Sequence, residues 1–192
     1  MESQFQKYLG TQTTLTDDAI HAISSCAIAR TLRRNELLLE PGEVCRHKVF
    51  IVSGLLRNFI TTANGNEHVL HFSPELTWTL DVESYDKEIP SAIAIGAVEP
   101  TEVLLWQKAD FNKLLADIPL LKQFSEQLVA RTMYYNRQRM ATILSASPEE
   151  KYDDFTQRFP GLIARLPLHM IASHLGISLK TLTRIRHAQL LR

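Results

Sequence analysis

Residues 168–186 read LHMIASHLGISLKTLTRIR, and the spacing of apolar positions here decides how the C-terminal part of the chain folds. Ile171 and Leu175 stand four apart and so share one face of a helix. Ala172 is small where two crossing helices would approach closely. Gly176 can take a positive φ at no steric cost and so ends the first helix. Ile177 fills the space between the helices, Ser178 caps the second one, and Leu182 and Ile185 point inward at a spacing of three. The pattern predicts a helix-turn-helix. Any helical hairpin buries residues of these types, and its turn often contains glycine. Charge has to separate the two readings.

The segment 155–192 contains Arg158, Arg165, Lys180, Arg184, Arg186 and Arg192 and no Asp or Glu. The whole chain balances 21 basic against 21 acidic residues, so residues 1–154 are acidic by the same amount. A basic end on an acidic body suits a polyanionic partner, because phosphate contacts release counterions. With Leu182 and Ile185 inward, Lys180, Arg184 and His187 fall on the opposite helix face, flanked by Thr181 and Thr183. A recognition helix enters the major groove of double-stranded DNA with its N-terminal part against base edges. Arg184 has the geometry to chelate guanine, Lys180 and Thr181 to reach bases or phosphate, and Ser178 with the helix N-terminus to take a phosphate. Arg186 lies nearer the packed side and suits a backbone phosphate.

Upstream, Ser147-Pro148-Glu149-Glu150 is a helix start, with serine at the N-cap, proline next and glutamate three residues on. It marks a domain boundary, and that helix stops at Phe159-Pro160-Gly161. After Pro119 there is no Gly or Pro as far as Leu144, and Leu121, Phe124, Leu128 and Tyr135 form one stripe of a helix about 38 Å long. Such a stripe packs either on its own domain or on a second copy. Lys108 to Leu115 is also expected to be helical. Residues 27–106 change texture to short β-like runs, residues 49–52, 55–61, 67–72, 91–98 and 101–106 among them, broken by turn residues: Pro41-Gly42, Ser53-Gly54, Asn64-Gly65-Asn66 and Glu99-Pro100. Asn64-Gly65 is the strongest hairpin signal. Runs at this spacing argue for a sandwich or barrel. Before them, Thr16 followed by Asp17 and Asp18 starts a helix to about Cys26.

The order of these parts resembles the Crp/Fnr family of bacterial transcription regulators. PGE at residues 41–43, FIVSGLLR at 50–57 and IASHLGISLKTLTRIR at 171–186 carry the resemblance over nearly the whole chain. It implies an α+β chain in three parts. Residues 1–117 would be a sensor-like antiparallel β-roll (a double-stranded β-helix of the cyclic-nucleotide-binding kind) with flanking helices. Residues 118–146 would be a dimerisation helix, its stripe the seam of a homodimer. Residues 147–192 would be the DNA-binding helix-turn-helix, reading a near-palindromic operator. Since the sequence given ends at Arg192, no β-hairpin wing is expected after the recognition helix.

The ligand segment departs from the family pattern. Nucleotide-binding members have a Gly-Glu step and, about ten residues on, an arginine before Ser-Ala that clamps the cyclic phosphate. Here the stretch 76–92 is LTWTLDVESYDKEIPSA. Leu80 takes the glycine position, Asp81 that of the acid, and Pro90 stands before Ser91-Ala92. Proline offers no donor, and a buried phosphate without a cation is strongly disfavoured. Cyclic AMP is therefore not the expected ligand. Leu80, Asp81, Glu83, Ser91 and Ala92 remain the candidate contacts for a small-molecule effector of unidentified chemistry. Trp78, Tyr85 and Trp106 are read as core, in preference to a pocket lining.

No cofactor is expected. Cys26 and Cys45 are too few for an iron–sulfur cluster and are read as free thiols. His68 and His71, three apart in a strand, face opposite sides and make no joint metal site. No nucleophile–base pair or His-x-His set suggests an enzyme. Residues 1–9 lack an apolar signal core, and no run reaches the roughly 18 apolar residues that cross a bilayer, so a cytoplasmic protein is expected, without a membrane partner. The alternative to a regulator is a small-molecule-binding β-roll whose C-terminal helical domain does not bind DNA.

Overall fold

The continuous apolar run at residues 49–52 forms a strand buried on both faces. Side chains alternate along β3 (His47–Ser53). Val49 and Ile51 join Leu32, Leu39, Leu56, Ile95, Val103 and Leu105 in one apolar cluster. Phe50 and Val52 face a second, with Phe5, Leu9, Ile23, Leu104, Trp106 and Phe111. β8 (Thr101–Gln107), antiparallel to β3, repeats the division: Val103 and Leu105 lie in the first cluster, Leu104 and Trp106 in the second. Such strands show no polar alternation because neither face meets water.

The computed structural model describes residues 1–190. Arg192, counted in the basic segment and taken as the point after which no wing follows, lies outside them. The remaining strands are β1 (Ile28–Leu32), β2 (Leu37–Leu39), β4 (Leu56–Thr61), β5 (Glu67–Ser73), β6 (Trp78–Thr79) and β7 (Ala94–Ala97). They form two four-stranded sheets, ordered β1-β8-β3-β6 and β2-β7-β4-β5, the expected antiparallel β-roll. The first cluster fills the space between the sheets. The second lies between β3, β8 and the helices α1 (Glu2–Gln12), α2 (Asp17–Ser25), α4 (Lys108–Asp117) and the start of α5 (Pro119–Ser145). At the β3–β4 turn Gly54 has φ +92°, and a Cβ there would sit 2.5 Å from the Pro100 carbonyl oxygen. No other residue fits.

Two compact units follow from the packing: residues Met1–Ile60 with His71–Leu128, and Thr61–Leu70 with Val129–Arg192. The second contains α6 (Pro148–Arg158), α7 (Leu168–Leu175) and α8 (Leu179–Leu190). Ser147 and Glu150 form the expected capping box, and Thr16 caps α2 by accepting the Ala19 amide.

Three expectations need correction. The helical stripe does not stand free as a dimer seam: Leu121 and Phe124 are buried in the second cluster with Leu128 against it, and Tyr135 packs edge-on to Phe159. The run expected from Ser91 to Val98 is a strand only at Ala94–Ala97. The N-terminal residues, read only as lacking an apolar signal core, form α1, whose Phe5 and Leu9 are fully buried. Cys26 and Cys45 are free thiols, and Trp106 is core, its Nε1 donating to the Ile23 carbonyl at 2.8 Å. Among the described residues, no helix is long and apolar enough to cross a membrane, and no group of three or more His, Cys, Asp or Glu is placed to hold a metal ion.

Candidate nucleic-acid interface

Gly176 adopts the left-handed conformation, φ +65°, at the end of α7, and the Ile177 amide turns back to the Ala172 carbonyl at 3.1 Å. This closes the helix as the sequence requires. Ser178 then opens α8, its Oγ accepting the Thr181 amide at 3.0 Å. Ile171, Ala172 and Leu175 of α7 are buried, as are Leu182 and Ile185 of α8, and Tyr152 and Phe155 of α6. Burying Leu182 and Ile185 fixes the rotation of α8 about its axis.

The opposite face of α8 therefore carries Leu179, Lys180, Thr183, Arg184 and His187, all exposed. Thr181 and Arg186 are half-buried at its margins, and Ser178 is exposed at its start. Lys180 and His187 make no hydrogen bond or ion pair among the described residues. Thr183 donates its hydroxyl to the Leu179 carbonyl of its own helix at 2.9 Å. Arg184 is the exception: its guanidinium donates to Glu149 Oε1 at 2.8 Å. The amide at the start of α6 and then Arg184 hold the Glu149 carboxyl below the usual carboxylate range. Both partners are largely exposed, and such a pair is weak enough for a phosphate or guanine edge to displace it. In the sequence Glu149 had no role of its own beyond its place in the Ser147-Pro148-Glu149-Glu150 helix start.

The hairpin tip Thr61–Leu70 supports this unit from far away in the chain. Ser173 of α7 accepts the Val69 amide at 2.9 Å and donates to the Glu67 carbonyl at 2.8 Å. The next residue, His174, is buried with its Nδ1 3.3 Å from the Val69 carbonyl and 3.3 Å from Arg139 of α5, which also donates to the His174 carbonyl at 2.9 Å. None of these had a local signal in the sequence.

The candidate effector segment is built differently. Asp81 caps α3 (Val82–Lys87), accepting the amides of Glu83 and Ser84, and its second oxygen accepts the Ser91 hydroxyl at 2.7 Å. The Ser91 amide donates to the Glu43 carbonyl, and its carbonyl accepts the Gly42 amide, both at 2.8 Å. Glu83 is exposed and paired with Lys87 at 2.8 Å, Ala92 is exposed, and Leu80 packs on the interior cluster of the roll. Of the five residues, Asp81 and Ser91 are brought together, to bind each other. Glu83 and Ala92 do not join them.

No protein-family profile matches the chain, and no curated protein does. Solved structures do. The c-di-GMP-responsive global regulator CLP of Xanthomonas campestris superposes with a TM-score of 0.76 at 9% identity, covering 92% of each chain. FixK2 of Bradyrhizobium japonicum gives 0.72 at 17% identity, covering 85% of each. A chain from Eubacterium rectale, described as a Crp/Fnr-family transcriptional regulator, gives 0.71 at 18% identity over 96% of this chain and 88% of that one. The fold is that of the Crp/Fnr transcription regulators.

Proposed function

We propose that the chain is a homodimeric, DNA-binding transcription regulator that works in the cytoplasm and does not respond to cyclic AMP. One observation carries the reading: the outward face of α8 offers Lys180 and His187 unpartnered among the described residues and Arg184 in an exposed, displaceable pair. Arg184 reads a guanine edge, Lys180, Thr181 and Thr183 contact neighbouring bases or phosphates, and Ser178 and Arg186 hold backbone phosphate. The functional parts follow the boundaries given above, with residues 1–117 as sensor, 118–146 as dimer helix and 147–192 as reader. The seam is formed by an exposed stripe on α5, Val129, Met133, Met140 and Leu144, at spacings of four, seven and four. At 66% and 80% exposure, Met133 and Leu144 are unusual for a solvated helix face.

Fluorescence anisotropy of a labelled random duplex tests the reading. Binding at 50 mM salt that weakens steeply by 200 mM is expected. No binding at 50 mM removes it in favour of a ligand-binding roll with a helical domain serving other contacts. Cyclic AMP should leave the melting temperature unchanged, because the Ser91 amide and the Asp81 carboxylate are already engaged and Pro90 supplies no donor. A dose-dependent rise would contradict this part alone.

A further inference from the structure

A cleft of about 460 Å³ opens in the β-roll between the edge strands β1 and β2, within the range typical of small-ligand sites. Its floor is aliphatic: Leu39, Val49, Ile95 and Leu105 belong to the interior cluster, and Leu38 lies half-buried beside them. Cys45 completes the wall as a neutral thiol, since burial pushes its pKa up. The rim is polar, with Arg30, Arg46 and His47 set against the single carboxylate of Glu43. We propose that this cleft binds a small amphipathic anion, an organic acid whose apolar body lies on the aliphatic floor and whose carboxylate meets Arg46 and His47.

The charges on the rim differ in how far they are already used. Arg30 donates to Glu36 at 3.0 Å, and Glu43 accepts the Glu40 amide at 2.9 Å within its own turn. The Arg46 guanidinium is exposed and makes no hydrogen bond among the described residues. His47 reports the local field: burial first, then the Arg30 and Arg46 guanidinium groups, hold its imidazole below the ordinary histidine range. An anion beside it would meet a positive potential and two groups able to donate. A cation would meet the guanidinium groups of Arg30 and Arg46, and a wholly apolar ligand would leave Arg46 without a partner in the cleft. The cleft includes none of Leu80, Asp81, Glu83, Ser91 or Ala92, so it is not the segment that the family resemblance points to.

Octanoate is a suitable probe, added to the full chain at fixed pH while the His47 ring and the Leu38 and Leu39 methyl groups are followed by NMR. Saturable shifts of all three are expected. Octanol at the same concentration should produce none. Arg46→Glu, at an exposed position that leaves the fold intact, should weaken octanoate binding by about tenfold or more, the worth of one charge-assisted hydrogen bond. Leu38→Trp, which fills the cleft, should abolish it. Equal shifts with octanol, an unchanged affinity in Arg46→Glu, or shifts confined to α5 would overturn the proposal. DNA is absent throughout, so failure here is distinct from failure of duplex binding.

Discussion

In the β-roll the ammonium of Lys48 stands over the ring of Phe111 at 4.4 Å and that of Trp78 at 5.4 Å, and burial lowers its pKa to about 8. On α8, Lys180 is exposed and bonded to nothing among the described residues. The same residue type is structural in one unit and available in the other. The carboxylates and hydroxyls divide the same way. Asp81 and Ser91 are consumed by a helix cap and by each other, whereas Ser178 caps α8 yet stays exposed beside unpartnered cations. Residue type alone therefore marks no site; what matters is whether the fold has already used the group.

Four measurements break or sharpen this contrast. Arg184→Ala should cost about 1–3 kcal/mol of duplex binding and relax the preference at one operator position. An unchanged preference would take Arg184 out of the reading face. Lys48 bears on stability instead. Its folded pKa of about 8 lies below the ordinary 10.5, so between these values the unfolded chain holds more protons and stability rises with pH. The increment is on the order of 2 kcal/mol once the attraction of the two rings is set against burial. Urea unfolding at pH 8 and pH 10.5 should show it in the wild type relative to Lys48→Met. Tyr85, pushed up to about 12, acts in the opposite direction but is present in both proteins and cancels. If both proteins respond alike, Lys48 is solvated and the contrast fails.

Gly176→Ala should destabilise by about 1 kcal/mol, the cost of a left-handed backbone with a Cβ. A Cβ there would meet nothing within 4 Å, so the effect is purely conformational. A larger loss would mean the turn is packed in some further way. The smallest effect is expected for Glu149→Gln, which frees Arg184 from its surface pair and should tighten DNA binding a few-fold at most. Weakened binding would instead mean that Glu149 holds Arg184 in its reading position.

The local signals in the sequence were the reliable ones. Thr16, Ser147 with Glu150, Asn64-Gly65 and Gly176 each act through bonds within a few residues, and each is where it was expected. The inward set Leu182 and Ile185 was equally legible because helix geometry alone fixes what lies opposite. Asp81 was less legible, because an acid at a helix start and an acid awaiting a ligand look alike without their partners. For the stripe on α5 the sequence left two packings open, its own domain or a second copy. Leu121 and Phe124 answer to Phe5, Leu9 and Trp106, and only the folded chain shows that they are taken. His174 and Arg139 gave no periodic signal at all.

The bond from Val69 to Ser173 spans 104 residues of sequence. Closing so long a span carries an entropic cost that local helix contacts do not meet, and the bonds to Ser173 form only when the backbone at Glu67 and Val69 and α7 are both in place. An excised fragment beginning at Val129 would keep α6, α7 and α8 but leave the Ser173 hydroxyl and the His174 ring without the backbone they bind. The helical unit thus completes its hydrogen bonding only with peptide that lies about a hundred residues earlier in the chain.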